Sequence, residues 1–102
     1  MINYELCPKF ETAFELLGKK WTGLIIDTML KEKKTFSEIL SFIPNISAKM
    51  LTNRLKELEK EKVIKRNVYA ETPVKIEYVL TEKGKELKKV MEEVQKWAEK
   101  WM

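Results

Sequence analysis

The stretch TFSEILSFIPNISAKMLTNRLKELEKEK, residues 35–62, decides the fold. Thr35-Phe36-Ser37-Glu38 is a capping box, in which the cap Thr and the Glu three residues later satisfy each other's backbone donors. The spacing of Phe36, Ile39, Leu40 and Ile43 predicts a short helix with one apolar face. Pro44-Asn45-Ile46 breaks it. Ser47 caps a longer helix whose apolar seam is Leu51, Leu55 and Leu58. A short helix, a tight turn and a longer basic helix make a helix-turn-helix pattern.

Downstream, the pattern changes from helical to extended. Val63-Ile64-Lys65-Arg66-Asn67-Val68-Tyr69 and Lys75-Ile76-Glu77-Tyr78-Val79-Leu80 are rich in β-branched and aromatic residues. The second strand alternates, with Ile76, Tyr78 and Leu80 on one face. The first is less clean, because Arg66 sits between Ile64 and Val68. The intervening segment, including Pro73, makes a hairpin loop. Thr81 then caps a last helix, on which Leu87, Val90, Met91, Val94, Trp97, Ala98 and Trp101 draw one stripe.

Upstream, Cys7-Pro8 starts a helix, with Pro at its first position. Phe10, Ala13, Phe14 and Leu17 follow helical spacing, and Gly18 ends it. A further helix carries Trp21, Leu24, Ile25 and Met29, with Asp27 and Lys31 paired on its outer face. The order is four helices, a hairpin and a helix. The expected class is mainly α with a small β-hairpin wing (α+β), a winged helix-turn-helix with N- and C-terminal dimerisation helices. Residues 1–102 form one domain, with the helix-turn-helix at about 35–62, the wing at about 63–80 and the last helix at about 81–101.

Composition narrows the function classes. Of 102 residues, 44% are hydrophobic and 35% charged, which is too apolar for disorder. His is absent, which removes the commonest general base and metal ligand. No Gly-rich phosphate loop and no nucleophile-base pair is present, so no enzyme is expected, and neither a metal nor a cofactor. One Cys excludes an intramolecular disulfide and any CxxC motif. No apolar run is long enough to span a bilayer, and residues 1–6 lack the pattern of a signal peptide. A cytoplasmic protein with no membrane partner is the expectation.

The net charge of +4 is unevenly spread. Residues 47–66 hold 7 basic and 3 acidic residues, +4 in one stretch, and the rest is nearly balanced. At 100° per residue, Leu51, Leu55 and Leu58 face inward, while Lys49, Thr52, Asn53, Lys56 and Lys60 point outward. Ser47, Thr52 and Asn53 suit base edges, and Lys49 and Lys56 suit phosphates or guanine. Arg54 lies at the edge of the seam and serves either role. Lys65, Arg66 and Lys75 sit on the wing stems, while the tip, Ala70-Glu71-Thr72, has an acid and no base. Arg66 falls on the inward-alternating face, so a phosphate or a core-edge carboxylate are its alternatives. The expected partner is double-stranded DNA with a pseudo-palindromic operator.

The chain resembles the HxlR-type winged helix-turn-helix transcriptional regulators, a family related to the MarR group. The resemblance runs from Cys7 to Trp97. It rests on Cys7-Pro8, Leu17-Gly18-Lys19-Lys20-Trp21, Phe36-Ser37-Glu38-Ile39, Ile46 to Leu51, Arg54-Leu55, Leu58-Glu59, Pro73, Glu77-Tyr78, Leu80-Thr81-Glu82 and Gly84. There are two departures. A Lys fills one slot of the family's Gly-Gly-Lys-Trp, and Lys62 replaces the Gly that often precedes the first wing strand. The resemblance implies a small dimeric DNA-binding repressor or activator. It also implies that Cys7 is either a sensor of oxidants or electrophiles, as in some relatives, or inert, as in others.

The residues by themselves support both halves of that expectation. The apolar stripe of the last helix either folds onto its own domain or meets a second subunit. Two tryptophans near one end exceed what a core of this size needs, which favours a homodimer through Phe10, Phe14, Val90, Val94, Trp97 and Trp101. Cys7 as a helix cap is in a place that favours thiolate, whereas a free Cys is usually an inert small residue. A small-molecule or oxidant effector is the corresponding partner. The rival reading is a winged-helix protein-interaction module without DNA binding. The coincidence of the +4 stretch with the expected recognition helix favours DNA.

Overall fold

The computed structural model describes residues 7–102. The reading of residues 1–6 lies outside them. Helix α1 spans Pro8–Leu17, α2 Thr22–Leu30, α3 Phe36–Phe42 and α4 Ala48–Lys60. Strands β1 (Ile64–Tyr69) and β2 (Lys75–Leu80) follow, then α5 (Glu82–Lys85) and α6 (Leu87–Trp101).

Local chemistry accounts for the boundaries. The Thr35 hydroxyl accepts the Glu38 backbone N–H, and the Glu38 carboxylate accepts the Thr35 N–H, so the capping box is complete. Asn45 takes a left-handed φ of 69° in the turn, a conformation Asn tolerates. Ser47 then caps α4 by accepting the Met50 N–H at 3.0 Å. Lys62 closes α4 with a φ of 61°, the departure from Gly noted above.

The core is built where α2, α3 and α4 meet the base of the hairpin. Ile25, Ile26, Met29, Ile39, Ile43, Ile46, Leu51, Leu55, Leu58, Val63 and Ile64 are buried. Each such side chain contributes roughly 1.5–3 kcal/mol by leaving water. The hairpin is antiparallel, with Ile64 opposite Leu80, Lys65 opposite Val79 and Arg66 opposite Tyr78. The Tyr78 N–H donates to the Lys34 carbonyl at 2.7 Å, so the α2–α3 link covers the outer edge of β2. At the start of α5, Thr81 accepts the Gly84 N–H and donates to the Lys62 carbonyl. Gly84 lies so close to the Val63 carbonyl oxygen that a Cβ would overlap it.

Four expectations are corrected. Trp21 is not inside α2 but is its N-cap, at a left-handed φ of 81°. Leu24 is 54% exposed, because Ile25, Ile26 and Met29 already fill the inward face. Val68 is exposed, since β1 extends past the core after Ile64. The last helix is interrupted at Glu86, giving α5 and α6.

The apolar stripe of α6 separates into two rows. Leu87 and Met91 pack on the core. Val90, Val94, Trp97 and Trp101 are exposed, and so are Phe10 and Phe14 of α1, whose rings are 4.8 Å apart. The chain measures 59 × 30 × 24 Å with a radius of gyration of 15.4 Å. A compact chain of this length would have about 13 Å.

Candidate nucleic-acid interface

Burial of Leu51, Leu55 and Leu58 sets the rotation of α4 about its own axis. The same rotation exposes Lys49, Asn53 and Lys56 along the opposite face. Ser47 is exposed at the N-terminal end, with its oxygen already accepting in the cap. Thr52 is half-buried, and its hydroxyl donates back to the Ala48 carbonyl at 2.9 Å. That leaves the Thr52 oxygen able to accept a further hydrogen bond.

Arg54 stands at the edge of the leucine seam, half-buried. Its side chain is only 16% exposed. Nε donates to the Lys20 carbonyl at 3.0 Å, and Nη1 pairs with Glu57 at 3.2 Å. Lys19 reaches the same Glu57 carboxylate at 3.2 Å. Arg54 thus makes an internal cross-link that holds α4 against the α1–α2 link.

The wing residues are sorted by strand alternation. Ile64, Arg66 and their partners Leu80 and Tyr78 share the face toward the core and α4. Arg66 is exposed and shares a cleft of about 300 Å3 with Thr52, Lys56 and Glu59. It makes no ion pair with a carboxylate among the described residues. Lys65 and Lys75 lie on the other sheet face from Arg66, away from α4. Lys75 pairs with Glu77 at 3.5 Å. The continuous basic surface therefore consists of Lys49, Lys56 and Arg66, with Asn53 and Thr52 between them. Of these, the three cations have no salt bridge among the described residues. The wing tip presents Val68, Tyr69 and Val74, all exposed, and Glu71.

Cys7 is the N-cap of α1, exposed and free. Its side chain makes no cap hydrogen bond, and its carbonyl accepts the Glu11 N–H at 3.1 Å. Among the described residues no group of three or more His, Cys, Asp or Glu is placed to hold a metal ion. No helix of the described residues is long and apolar enough to cross a membrane.

A recognition helix capped by Ser47, seated on its leucine seam and flanked by a hairpin, defines a winged helix-turn-helix protein. The chain belongs to the HxlR-like helix-turn-helix family, whose model matches residues 16–102. It is 50% identical to YvaP, an HTH-type transcriptional regulator of Bacillus subtilis (strain 168), over 102 residues, covering 100% of this chain and 94% of that one. It is 53% identical over 96 residues to the HTH-type transcriptional regulator YodB of the same organism, covering 94% and 86%. The reduced form of YodB superposes with a TM-score of 0.82 at 52% identity, covering 94% of each chain. Quinone-bound YodB superposes with a TM-score of 0.78 at 47% identity, covering 94% and 100%. The protein is a DNA-binding transcriptional regulator, and the family is one of regulators and not of enzymes.

Proposed function

We propose that the protein acts as a homodimer that reads a pseudo-palindromic operator, with α4 of each subunit in a major groove. The observation that carries this reading is the exposed face of Lys49, Asn53 and Lys56, continued by Arg66 on the wing stem. Lys49, Lys56 and Arg66 supply phosphate affinity, and Asn53 and Thr52 read base edges. Ser47 sits where the α4 N-terminus favours a phosphate. The exposed row of Val90, Val94, Trp97 and Trp101, with Phe10 and Phe14, is the subunit contact. Two-fold symmetry then spaces the half-sites by roughly 34–36 Å or a multiple of it.

Cys7 makes the regulator responsive to oxidants or electrophiles. Its exposure at the start of α1 supports this, as does the similarity to YodB, solved in reduced and quinone-bound forms. Because Cys7 begins a helix of the proposed subunit contact, an adduct or an inter-subunit disulfide there alters the relation of the two recognition helices. The expected location is the cytoplasm.

The test is fluorescence anisotropy with duplex DNA from upstream of the protein's own gene, against a scrambled duplex, at two salt concentrations. Preferential binding that weakens with salt supports the reading. Absent binding by a folded dimer overturns it in favour of a protein-interaction module. A quinone-treated sample and Cys7→Ser form the second arm. A response identical in the variant clears Cys7 of the sensing role.

A further inference from the structure

Beside the wing, between β2, the α2–α3 link and α5, lies a cleft of about 700 Å3, lined by Lys65, Asn67 and Val79 from one sheet face and by Tyr78 and Leu80 from the other. That is within the range of small-molecule sites, roughly 300–1,000 Å3. Its floor is apolar, formed by Met29 and Leu30 at the end of α2 and by Val79 and Leu80 of β2. Its polar groups converge from three elements. Lys34 comes from the α2–α3 link, Lys65 and Asn67 from β1, and Glu82 and Lys85 from α5.

The charges of this lining indicate what it would hold. Lys85 pairs with Glu82 at 3.4 Å, so those two offset each other. Lys34 and Lys65 have no ion pair among the described residues, and Glu32 is the one further acid in the lining. The balance is one uncompensated positive charge. The Asn67 side chain has no hydrogen-bond partner among the described residues and is half-buried, which leaves an amide facing the cleft. An apolar floor below two ammonium groups and an amide suits a flat apolar body carrying a single anionic group.

We propose that this cleft is a binding site for a small amphipathic organic monoanion, held by Lys34, Lys65 and Asn67 over the Leu30–Val79 floor. The occupant would touch the helix-turn-helix, the wing and the entry to the dimer arm at once. The wing and the α2–α3 link are joined there by the Tyr78 N–H to Lys34 carbonyl hydrogen bond of 2.7 Å, and the α5 cap is tied to the base of β1 by the Thr81 N–H to Val63 carbonyl bond of 3.0 Å. Binding thus couples the wing angle to the direction of α5. Any consequence for operator affinity rests on the DNA-binding reading above, whereas occupancy of the cleft does not.

The experiment is an NMR titration of the 15N-labelled full chain with 2-naphthoate, in the absence of DNA. The neutral 2-naphthamide, which has the same apolar body, is the control. Saturable shifts centred on Leu30, Lys34, Asn67 and Val79 are expected. The neutral probe is expected to bind about tenfold more weakly, as two exposed charge contacts are lost. Lys34→Gln with Lys65→Gln is expected to lose about the same factor, while Lys56→Gln binds like the wild type. Equal affinity for the two probes overturns the proposal. So does the absence of saturable shifts, or shifts confined to the Phe10, Phe14, Trp97 and Trp101 face. Undiminished binding by a well-dispersed double variant also overturns it. If that variant misfolds, the two-probe comparison on the wild type decides. Anisotropy with operator DNA, with and without 2-naphthoate, then reads the coupling separately.

Discussion

The Arg54 guanidinium crosses 34 positions of sequence to donate from Nε to the Lys20 carbonyl oxygen at 3.0 Å. This bond, with the Glu57 pair beside it, ties the recognition helix to the link that leads back to α1. Arg54 therefore sets where α4 stands relative to the proposed dimer helices, and its guanidinium is directed inward.

Arg54→Ala is expected to destabilise the fold by about 1–2 kcal/mol, the usual worth of charge-assisted bonds in a mostly shielded place. Operator affinity falls with it, but the salt slope stays. Denaturant unfolding and salt-dependent anisotropy check the two halves. A slope lowered as if one phosphate contact were lost would return Arg54 to the DNA surface.

Lys49→Ala is expected to weaken binding to all duplexes and to lower the salt slope by about 1. Lys65→Ala is expected to leave the slope unchanged, because Lys65 faces the other side of the sheet from Arg66. Equal loss in both variants would show that the rear face of the wing meets DNA.

Trp97→Asp puts a charge into an exposed apolar row, at a residue 58% exposed in the single chain. The expected result is a folded monomer sedimenting near 12.1 kDa. A dimer that survives the substitution would exclude this row as the subunit contact.

Lys62 pays for its place with a left-handed φ of 61°. Its N–H still donates to the Glu59 carbonyl at 3.0 Å, a bond that Gly retains. Lys62→Gly is expected to stabilise the chain by about 0.5–1 kcal/mol, the relief of the Cβ clash less the entropy that Gly loses. An unchanged or lower melting temperature would mean that the lysine side chain offsets the strain.

Glu38 links stability to pH. The Lys34 and Thr35 backbone N–H groups, at 2.9 and 3.0 Å, hold its carboxyl below the usual carboxylate range. A depressed folded-state value contributes stability above the unfolded value, and that stability is lost as pH falls through the folded one. Glu38→Gln is therefore expected to melt lower than the wild type at neutral pH, with the gap closing in acid. A gap independent of pH would assign the effect to shape alone.

Much of this molecule was legible because its cues are local. The caps at Thr35 and Ser47, the leucine seam of α4 and the hairpin need only a few neighbouring residues and one period. The less legible parts depend on what stands across the fold. Trp21 has helical spacing, yet it turns left-handed where α1 hands over to α2. Leu24 has the hydropathy of a core residue, but Ile25, Ile26 and Met29 occupy that face first. Alternation puts Arg66 on the inward face and Lys65 on the other, but only tertiary packing brings Arg66 into a cleft with Thr52 and Lys56 of α4.

The sequence by itself determined the element order, the rotation of α4 and the concentration of charge on its outer face. Each follows from the 3.6-residue period and from hydrogen bonds between near neighbours. Tertiary structure alone decided that Arg54 binds the Lys20 carbonyl. It decided that Lys65 joins Lys34 beside the wing, and that the α6 stripe splits into a packed and an exposed row. Those outcomes depend on distances between residues far apart in the chain, which burial of the shared core fixes and no local period encodes.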